Sequence, residues 1–458
     1  MKIIILGAGQ VGGTLATYLV NEENDVTVVD SDPARLSELQ NRLDIGTVVG
    51  SGSYPNVLRQ AGAETADMLV AVTSSDEINI VACQVSYTLF RTPVKIARIR
   101  SRHYQAYKEL FADEAMPVDI WISPEGLVTN YLKKLIDMPG ALQVLDFAGG
   151  KVQIVSVKPN LDGELVGKTI KTLRGELPGI DARVVAIFRG NHLLPLTGKT
   201  LIQPGDEVFY VTATAGVSKV MAGMGRGNQS NKRVMIAGGG NIGTSLAKAI
   251  EDSYNVRLIE SEAKRAQHLI EELNNTTILV GDVADRSLLS NENIEYTDVF
   301  VAVTNNDETN VMACLQAKRM GARTAIALVA KTAYVELLET SSEIDIVIAP
   351  QTITISGILK LLRRGDIVNV HALRHGAAEA IEVIAHGDSE TSKVVGREIG
   401  ELDLPPGTQM GAILRGEEVI IPHRDTPIAS EDHVVIFLAD KKHIPKVERL
   451  FQVGPAFI

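Results

Sequence analysis

Three glycines at fixed spacing, Gly7-Ala8-Gly9-Gln10-Val11-Gly12, stand between an apolar run, Ile3-Ile4-Ile5-Leu6, and a helix-forming stretch. Residues of this type at this spacing can hold a diphosphate. The first glycine permits a tight turn, the second lets backbone approach a pyrophosphate, and the third lets the helix pack on its strand. The helix amino terminus then offers N–H groups and the positive end of its dipole to phosphate oxygens. Asp30 stands 18 residues after Gly12. Its carboxylate can accept both hydroxyls of an adenosine ribose and repels a 2′-phosphate, so NADP is disfavoured. The same constellation recurs 231 residues later as Gly238-Gly239-Gly240-Asn241-Ile242-Gly243, behind Val234-Met235-Ile236-Ala237. There the acid is Glu260, 17 residues after Gly243. A glycine turn that serves packing alone is the plain alternative at both places.

A second motif repeats at the same offset. Ala71-Val72-Thr73-Ser74-Ser75-Asp76-Glu77 reappears as Ala302-Val303-Thr304-Asn305-Asn306-Asp307-Glu308. Thr73-Ser74 and Thr304-Asn305 are expected at the ends of fourth strands, facing the crevice where open α/β sheets bind ligands. The acidic pairs that follow read as helix caps and dipole partners, with direct ligand contact as the alternative. The halves also differ. Arg98 in the first corresponds to Leu328 in the second, and Gly50-Ser51-Gly52 to Gly281-Asp282. Arg98 is suited either to a bidentate phosphate contact or to a surface ion pair. The two cradles are therefore expected to prefer different nucleotides.

Other candidates for chemistry fail on spacing. Gly163-x-x-x-Gly167-Lys168-Thr169 is one residue short of a phosphate-binding P-loop, and Gly198-Lys199-Thr200 has Leu193 where the first glycine belongs. His371 and His375 are four apart, but in a strand-and-turn context rather than on a helix, so no metal site is expected. No Ser/His/Asp or Tyr/Lys set is placed to work on a nicotinamide. No catalytic residue is assigned, and an NAD-dependent oxidoreductase is the alternative this argues against.

The elements that must position these groups follow from hydrophobic patterning. Residues 2–6 and 25–30 read as strands flanking a turn at 7–12 and a helix at 13–20. Thr47–Val49, Met68–Val72, Lys95–Arg98 and Val118–Ile122 continue as buried strands between helical segments, the pattern of a parallel, doubly wound sheet. From about 141 the pattern changes to short strands with tight turns. Val152–Val157 alternates, Arg183–Arg189 runs into Gly190-Asn191, Val208–Val211 follows Pro204-Gly205-Asp206, and a short helix falls near Lys168–Leu173. This part is repeated too: Val166–Ile170 matches Val395–Ile399, and Ala186–Gly190 matches Ala412–Gly416. Gly223–Asn231 reads as a linker. The fold class is α/β: two tandem Rossmann-like doubly wound parallel sheets, each followed by a small α+β domain. The expected domains are 1–125, 140–222, 232–352 and 366–458.

Composition excludes several classes. A net charge of −11 on 458 residues opposes a nucleic-acid footprint and a polybasic membrane anchor. No apolar run reaches the roughly 18–20 residues a spanning helix needs, and the chain begins on a strand rather than a leader. Any membrane connection is expected to go through another protein. Cys83 and Cys314, again 231 apart, are expected to be buried as small apolar residues in a reducing cytoplasm.

With Met1–Gly12, the Ala71–Gln84 segment and the closing Asp440-Lys441-Lys442…Val447–Gln452 in view, the whole chain resembles the bacterial Trk potassium-uptake regulatory proteins. That resemblance implies domains that regulate potassium conductance (RCK domains), each a nucleotide lobe plus a smaller C-terminal lobe. It implies NAD(H), with ATP and ADP as further ligands. It also implies a peripheral subunit on the cytoplasmic side of the inner membrane, forming a homo-oligomeric ring, expected as a tetramer, beneath a membrane-embedded Trk-type potassium transporter. Carried over residue by residue, the nucleotide contacts are Gly7, Ala8, Gly9, Gln10, Val11, Gly12, Asp30, Thr73, Ser74 and Arg98. In the second half they are Gly238, Gly239, Gly240, Asn241, Ile242, Gly243, Glu260, Thr304 and Asn305. Leu328 departs from the pattern.

Overall fold

The structure, a computed structural model, describes residues 1–20, 24–112, 114–161, 163–172, 181–226, 231–340, 343–362, 367–374 and 377–453. Strands β1 (Lys2–Leu6), β2 (Asp25–Asp30), β3 (Gly46–Val49), β4 (Met68–Ala71), β5 (Val94–Arg98) and β6 (Ile120–Ile122) form one parallel sheet in the order β3-β2-β1-β4-β5-β6. The continuous apolar runs are explained by helices covering both faces: Ile3 to Leu6 and all of β4 are buried. Strand order reverses between β1 and β4, so a crevice opens at their carboxyl ends, beside Gly7 and Thr73. The first helix runs Gln10–Val20. It starts three residues earlier than patterning suggests, because Gln10, Val11 and Gly12 already form its first turn.

The first small lobe is an antiparallel sheet of β7 (Ala141–Phe147), β8 (Val152–Val157), β9 (Ala182–Arg189), β10 (His192–Leu193) and β11 (Glu207–Ala213), in the order β7-β8-β11-β9-β10. A helix beginning at Ile170 is described to Thr172; it is preceded by Lys168 and by Thr169, which bridges to Leu201, and Leu173 lies outside the described residues. The second large lobe repeats the first, with β12 (Arg233–Ala237), β13 (Asn255–Glu260), β14 (Thr276–Val280), β15 (Val299–Ala302), β16 (Thr324–Leu328) and β17 (Ile346–Ile348) in the order β14-β13-β12-β15-β16-β17. The second small lobe, β18 (Ile367–Leu373), β19 (Ala378–Ala385), β20 (Thr408–Arg415), β21 (Glu418–Ile420) and β22 (Asp432–Leu438), has the strand order of the first: β18-β19-β22-β20-β21.

Two expectations need correction. Val152–Val157 does not alternate in burial: only Gln153 is partly open. The two small sheets share one apolar core, in which Phe147, Ile154, Phe188 and Phe209 meet Leu373, Ala380, Leu414 and Phe437; it covers the Val152 and Ile154 face of β8, and Val155 and Val157 on the other face are buried too. Likewise Gly223 and Met224, read as the head of a linker, are buried. Gly163 packs on them so closely that a Cβ there would lie 2.8 Å from the Met224 backbone. Residues 227–230 of that linker lie outside the described residues.

The chain divides into two compact units, Met1–Val128 with Pro350–Ile358, and Thr129–Ala349 with Leu359–Ile458. The opening of the helix Pro350–Leu362 thus belongs with the first large lobe, where a Cβ at Gly357 would lie 2.8 Å from Leu127 Cδ1. Within the second unit, Tyr254 donates to Asp137 at 2.6 Å and Asn231 Nδ2 to the Ile136 carbonyl at 2.7 Å.

Candidate nucleotide cradles

Each fingerprint glycine has its own physical reason. Gly7 and Gly238 adopt φ of +105° and +108°, a region that side chains make costly. Gly12 and Gly243 carry the helix over the turn: a Cβ there would lie 1.8 and 1.9 Å from the carbonyl oxygens of Gly7 and Gly238. Gly9 and Gly240 differ from both. Neither has a left-handed φ, and a Cβ at either would meet nothing within 4 Å. Nothing inside the lobe requires glycine at these two positions, which stand immediately before the helices Gln10–Val20 and Asn241–Ile250. The first-turn N–H groups of such helices have no intrahelical acceptor, so this open volume suits a phosphate.

The acids close the other side of the turn. The Ala8 N–H donates to Asp30 Oδ2 at 2.6 Å and the Asp32 N–H to Oδ1 at 2.8 Å. The Gly239 N–H donates to Glu260 Oε2 at 2.9 Å and the Glu262 N–H to Oε1 at 2.9 Å. Both oxygens of Asp30 and Oε2 of Glu260 keep acceptor capacity for a ribose diol, while Glu260 Oε1 also takes the Ser261 hydroxyl at 3.3 Å. In the second cradle Arg265 also donates from Nε to the Gly239 carbonyl at 3.0 Å, while Thr244 Oγ1 donates to the same oxygen at 3.0 Å. Gln10, Val11, Asn241 and Ile242 stand in the first turns of their helices, at the mouths of the cradles.

Thr73 and Thr304 lie just beyond β4 and β15, and their hydroxyls are committed inside the lobe. Thr73 Oγ1 donates to Asn79 Oδ1 at 2.7 Å and the Thr73 N–H to the same oxygen at 3.0 Å. Asn79 Nδ2 reaches the Arg98 carbonyl at 2.9 Å. Thr304, Asn310 and the Leu328 carbonyl repeat this lock at 2.9, 2.7 and 2.8 Å. Asn79 and Asn310 are fully buried. Sequence reasoning missed them, although Thr-x5-Asn stands in both halves. They tie the strand end on one wall of the crevice, that of β4 or β15, to its outer neighbour, β5 or β16, while the neighbouring Ser74 and Asn305 remain exposed. Asp76 and Asp307 act as staples rather than simple caps: they accept from the backbone N–H groups of Arg100 and Ser101 (2.9 and 2.7 Å), and of Ala330 and Lys331 (3.0 and 2.8 Å).

Arg98 is neither a free phosphate clamp nor an open surface pair. It is half-buried at the end of β5, with one terminal nitrogen 3.8 Å from Glu125 Oε1. Burial pulls its pKa down and Glu125 opposes this. Its Nε and Glu125 Oε2 are buried without hydrogen-bond partners, so the pair has unused polar capacity at this strand end. Leu328, at the matching strand end, is buried and offers none. Cys83 and Cys314 are fully buried, and burial pushes the Cys83 thiol up to about 12. His371 contacts the Asp146 carbonyl at 3.1 Å and stacks edge-on against Phe147; His375 lies outside the described residues. Among the described residues no three His, Cys, Asp or Glu side chains converge as a metal site. No described helix is long and apolar enough to cross a membrane.

Known proteins share this arrangement. The TrkA-N domain model matches residues 3–124 and 234–350, and the TrkA-C domain model matches 154–224 and 389–452. The chain is 55% identical over 457 residues to the Trk system potassium uptake protein TrkA of Halomonas elongata, with 100% of each chain covered. It is 55% identical over 459 residues to that of Vibrio alginolyticus, again with 100% of each covered. A homolog from Archaeoglobus fulgidus is 33% identical over 453 residues, covering 99% of this chain and 100% of its own. Among solved structures, the GsuK channel bound to NAD has a TM-score of 0.61 at 17% identity, over 98% of this chain and 78% of that one. The GsuK RCK domain has a TM-score of 0.60 at 18% identity, over 98% and 94%. The fold, two Rossmann-like TrkA-N lobes each followed by a TrkA-C lobe, defines a tandem TrkA-N/TrkA-C protein. The chain belongs to the TrkA family of Trk-system potassium uptake proteins, a family of transport components rather than enzymes.

Proposed function

We propose that this chain is the nucleotide-sensing regulatory subunit of a Trk potassium uptake system, binding NAD(H) and also ATP or ADP in its two cradles. It works from the cytoplasmic face of the membrane, as a homo-oligomeric ring, expected to be a tetramer, that gates a membrane-embedded transporter. The observation that carries this reading is the empty volume over Gly9 and Gly240, two glycines with no packing reason to be glycine. Gly7 to Gly12 with Asp30 would hold the first diphosphate and ribose, and Gly238 to Gly243 with Glu260 the second. Ser74 and Asn305 would face the ligand, with Thr73 and Thr304 shaping the wall through the buried asparagines. Arg98, whose side chain is partly open at the end of β5, would offer its guanidinium to a phosphate of the first ligand, so the first cradle favours the more highly charged nucleotide. Support by analogy comes from GsuK, whose structures include one bound to NAD and one bound to ADP. A nucleotide that binds two ring states unequally would shift the transporter between them, with coupling of about 1–3 kcal/mol for switches of this kind.

The test is potassium flux through the reconstituted transporter with this protein present, as NAD(H), ATP or ADP is added separately. Nucleotide-dependent flux that falls in Gly9→Val, Gly240→Val and the double variant is the expected result. Flux indifferent to every nucleotide would overturn the reading.

A further inference from the structure

We infer that the residue between the first two fingerprint glycines, Ala8 in one cradle and Gly239 in the other, is a positioning residue that decides which carboxylate can read the ribose. The inference deepens the nucleotide reading above and rests on it.

Both carboxylates are held by equivalent N–H groups. The residue 8 or 239 amide takes one oxygen, at 2.6 or 2.9 Å, and the amide two residues beyond the acid takes the other, at 2.8 or 2.9 Å. Glu260 nevertheless carries one methylene more than Asp30, and that length must be accommodated between the same anchors. In the second cradle it occupies the volume over residue 239, where a Cβ would lie 2.8 Å from Glu260 Oε2 and 2.5 Å from Leu269 Cδ1. In the first, the buried Ala8 methyl fills that place.

The leucines behind the turn follow suit. Leu39 leans toward Gly13, whose missing Cβ would lie 3.2 Å from Leu39 Cδ2. The second cradle has the buried Thr244 at the position of Gly13. Its hydroxyl is tied to the Gly239 carbonyl, so Leu269 fills the space over Gly239 instead. Three positions have been exchanged together: Ala8, Gly13 and Asp30 against Gly239, Thr244 and Glu260. The second set is the bulkier, and the room left by the missing methyl at residue 239 is taken by the Glu260 carboxylate and Leu269, so each cradle is committed to its own acid. Exchanging the acid alone would displace the carboxylate from the 2′,3′-diol of an adenine nucleotide.

The test uses the full-length chain and two probes, ADP and 2′-deoxy-ADP, titrated by calorimetry. The first cradle is read with Gly240→Val in the background, and the second with Gly9→Val. Asp30→Glu is expected to lose about tenfold or more in ADP affinity, the scale of one charged hydrogen bond, and most of the preference for ADP over the 2′-deoxy probe. Adding Ala8→Gly should restore both. Gly239→Ala should show the same two losses in the second cradle, and Gly239→Ala with Thr244→Gly and Glu260→Asp should recover them. If Gly239→Ala fails to fold, the Asp30→Glu and Ala8→Gly pair decides. Asp30→Glu binding like its parent, or no recovery on adding Ala8→Gly, overturns the inference while leaving the nucleotide reading intact. A parent chain that binds neither ADP nor NAD(H) in either cradle removes the nucleotide reading and this inference with it, and one that binds no ADP but does bind NAD(H) overturns the inference alone.

Discussion

Gly9 and Gly12 are the same amino acid three residues apart, with opposite reasons to be there. A side chain at Gly12 would collide with the Gly7 carbonyl, whereas one at Gly9 would enter open space. Substitutions should therefore separate stability from binding. Gly9→Val and Gly240→Val are expected to melt within a few degrees of wild type and to lose nucleotide at their own cradle only, by clash with a diphosphate. Gly12→Ala and Gly243→Ala should lower the melting temperature sharply, since contact at 1.8–1.9 Å to a backbone oxygen cannot be relieved by turning a side chain. Scanning calorimetry with and without nucleotide reads both effects. A Gly9→Val chain that still binds at both cradles would contradict this assignment.

At the scale of elements, the buried asparagines fix one wall of the crevice. Asn310 spans the Thr304 amide and hydroxyl and the Leu328 carbonyl, so it joins the ends of β15 and β16. Truncation leaves buried polar groups without partners, at about 1–3 kcal/mol each. Asn310→Ala should lower the urea midpoint correspondingly, and Asn310→Asp, which sets a carboxylate oxygen against the Leu328 and Thr304 carbonyls in place of a donor, should cost at least as much. The helix Asp307–Arg319 carries a second, pH-dependent tie near its start. The Lys331 ammonium at 2.7 Å, the Glu308 backbone N–H and the Tyr334 hydroxyl at 2.8 Å hold the Glu308 carboxyl down at about 2, against an ordinary 4.5. A depressed acid stabilises the fold fully above its ordinary value and loses that contribution as pH falls from 4.5 toward 2. Titration by carbon NMR on Glu-labelled protein should find Glu308 among the lowest glutamates, and Lys331→Ala should return it toward 4.5. The pair is exposed, so the effect on stability is expected to be slight.

At the scale of the whole molecule, the two small sheets form one body. Gly411 on β20 faces Val185 and Val211 of the other sheet: a Cβ there would stand 3.4 Å from Val185 Cγ1 and 3.1 Å from Val211 Cγ1. Val185 occupies the equivalent position on β9, so valine from one sheet fits against glycine from the other. Gly411→Val should overfill this seam and cost about 1–3 kcal/mol, as overpacking does. Val185→Ala should recover part of it in the double variant. Each sheet expressed alone would expose Phe188 and Phe209, or Leu414 and Phe437, and is expected to aggregate. The proposed ring adds a further expectation: light scattering should show an assembly larger than the 49.3 kDa chain. A monomer at all working concentrations, with and without nucleotide, would rule the ring out.

The repeat, the strand-turn-helix cradles, the acids at their edge and the two-lobe plan twice over were legible in the residues themselves. The reason is that each depends on local chemistry: glycine at a left-handed turn, continuous apolar runs in a sheet buried on both faces, a carboxylate at a fixed strand end. The tertiary structure decided what depends on distant partners. Asn79 and Asn310 look like ordinary helix residues until the adjacent strand end lies beside them. The burial of Val152 and Ile154 involves a second sheet more than 200 residues away in the chain. Arg98 was undecided between ligand and ion pair because Glu125, which half satisfies it, is brought near only when β5 and the helix from Pro124 pack together. The exchange of Ala8, Gly13 and Asp30 for Gly239, Thr244 and Glu260 was present in the letters throughout. Only the packing of Leu39 and Leu269 shows that the three changes are linked, because space is shared across a turn and is not written along it.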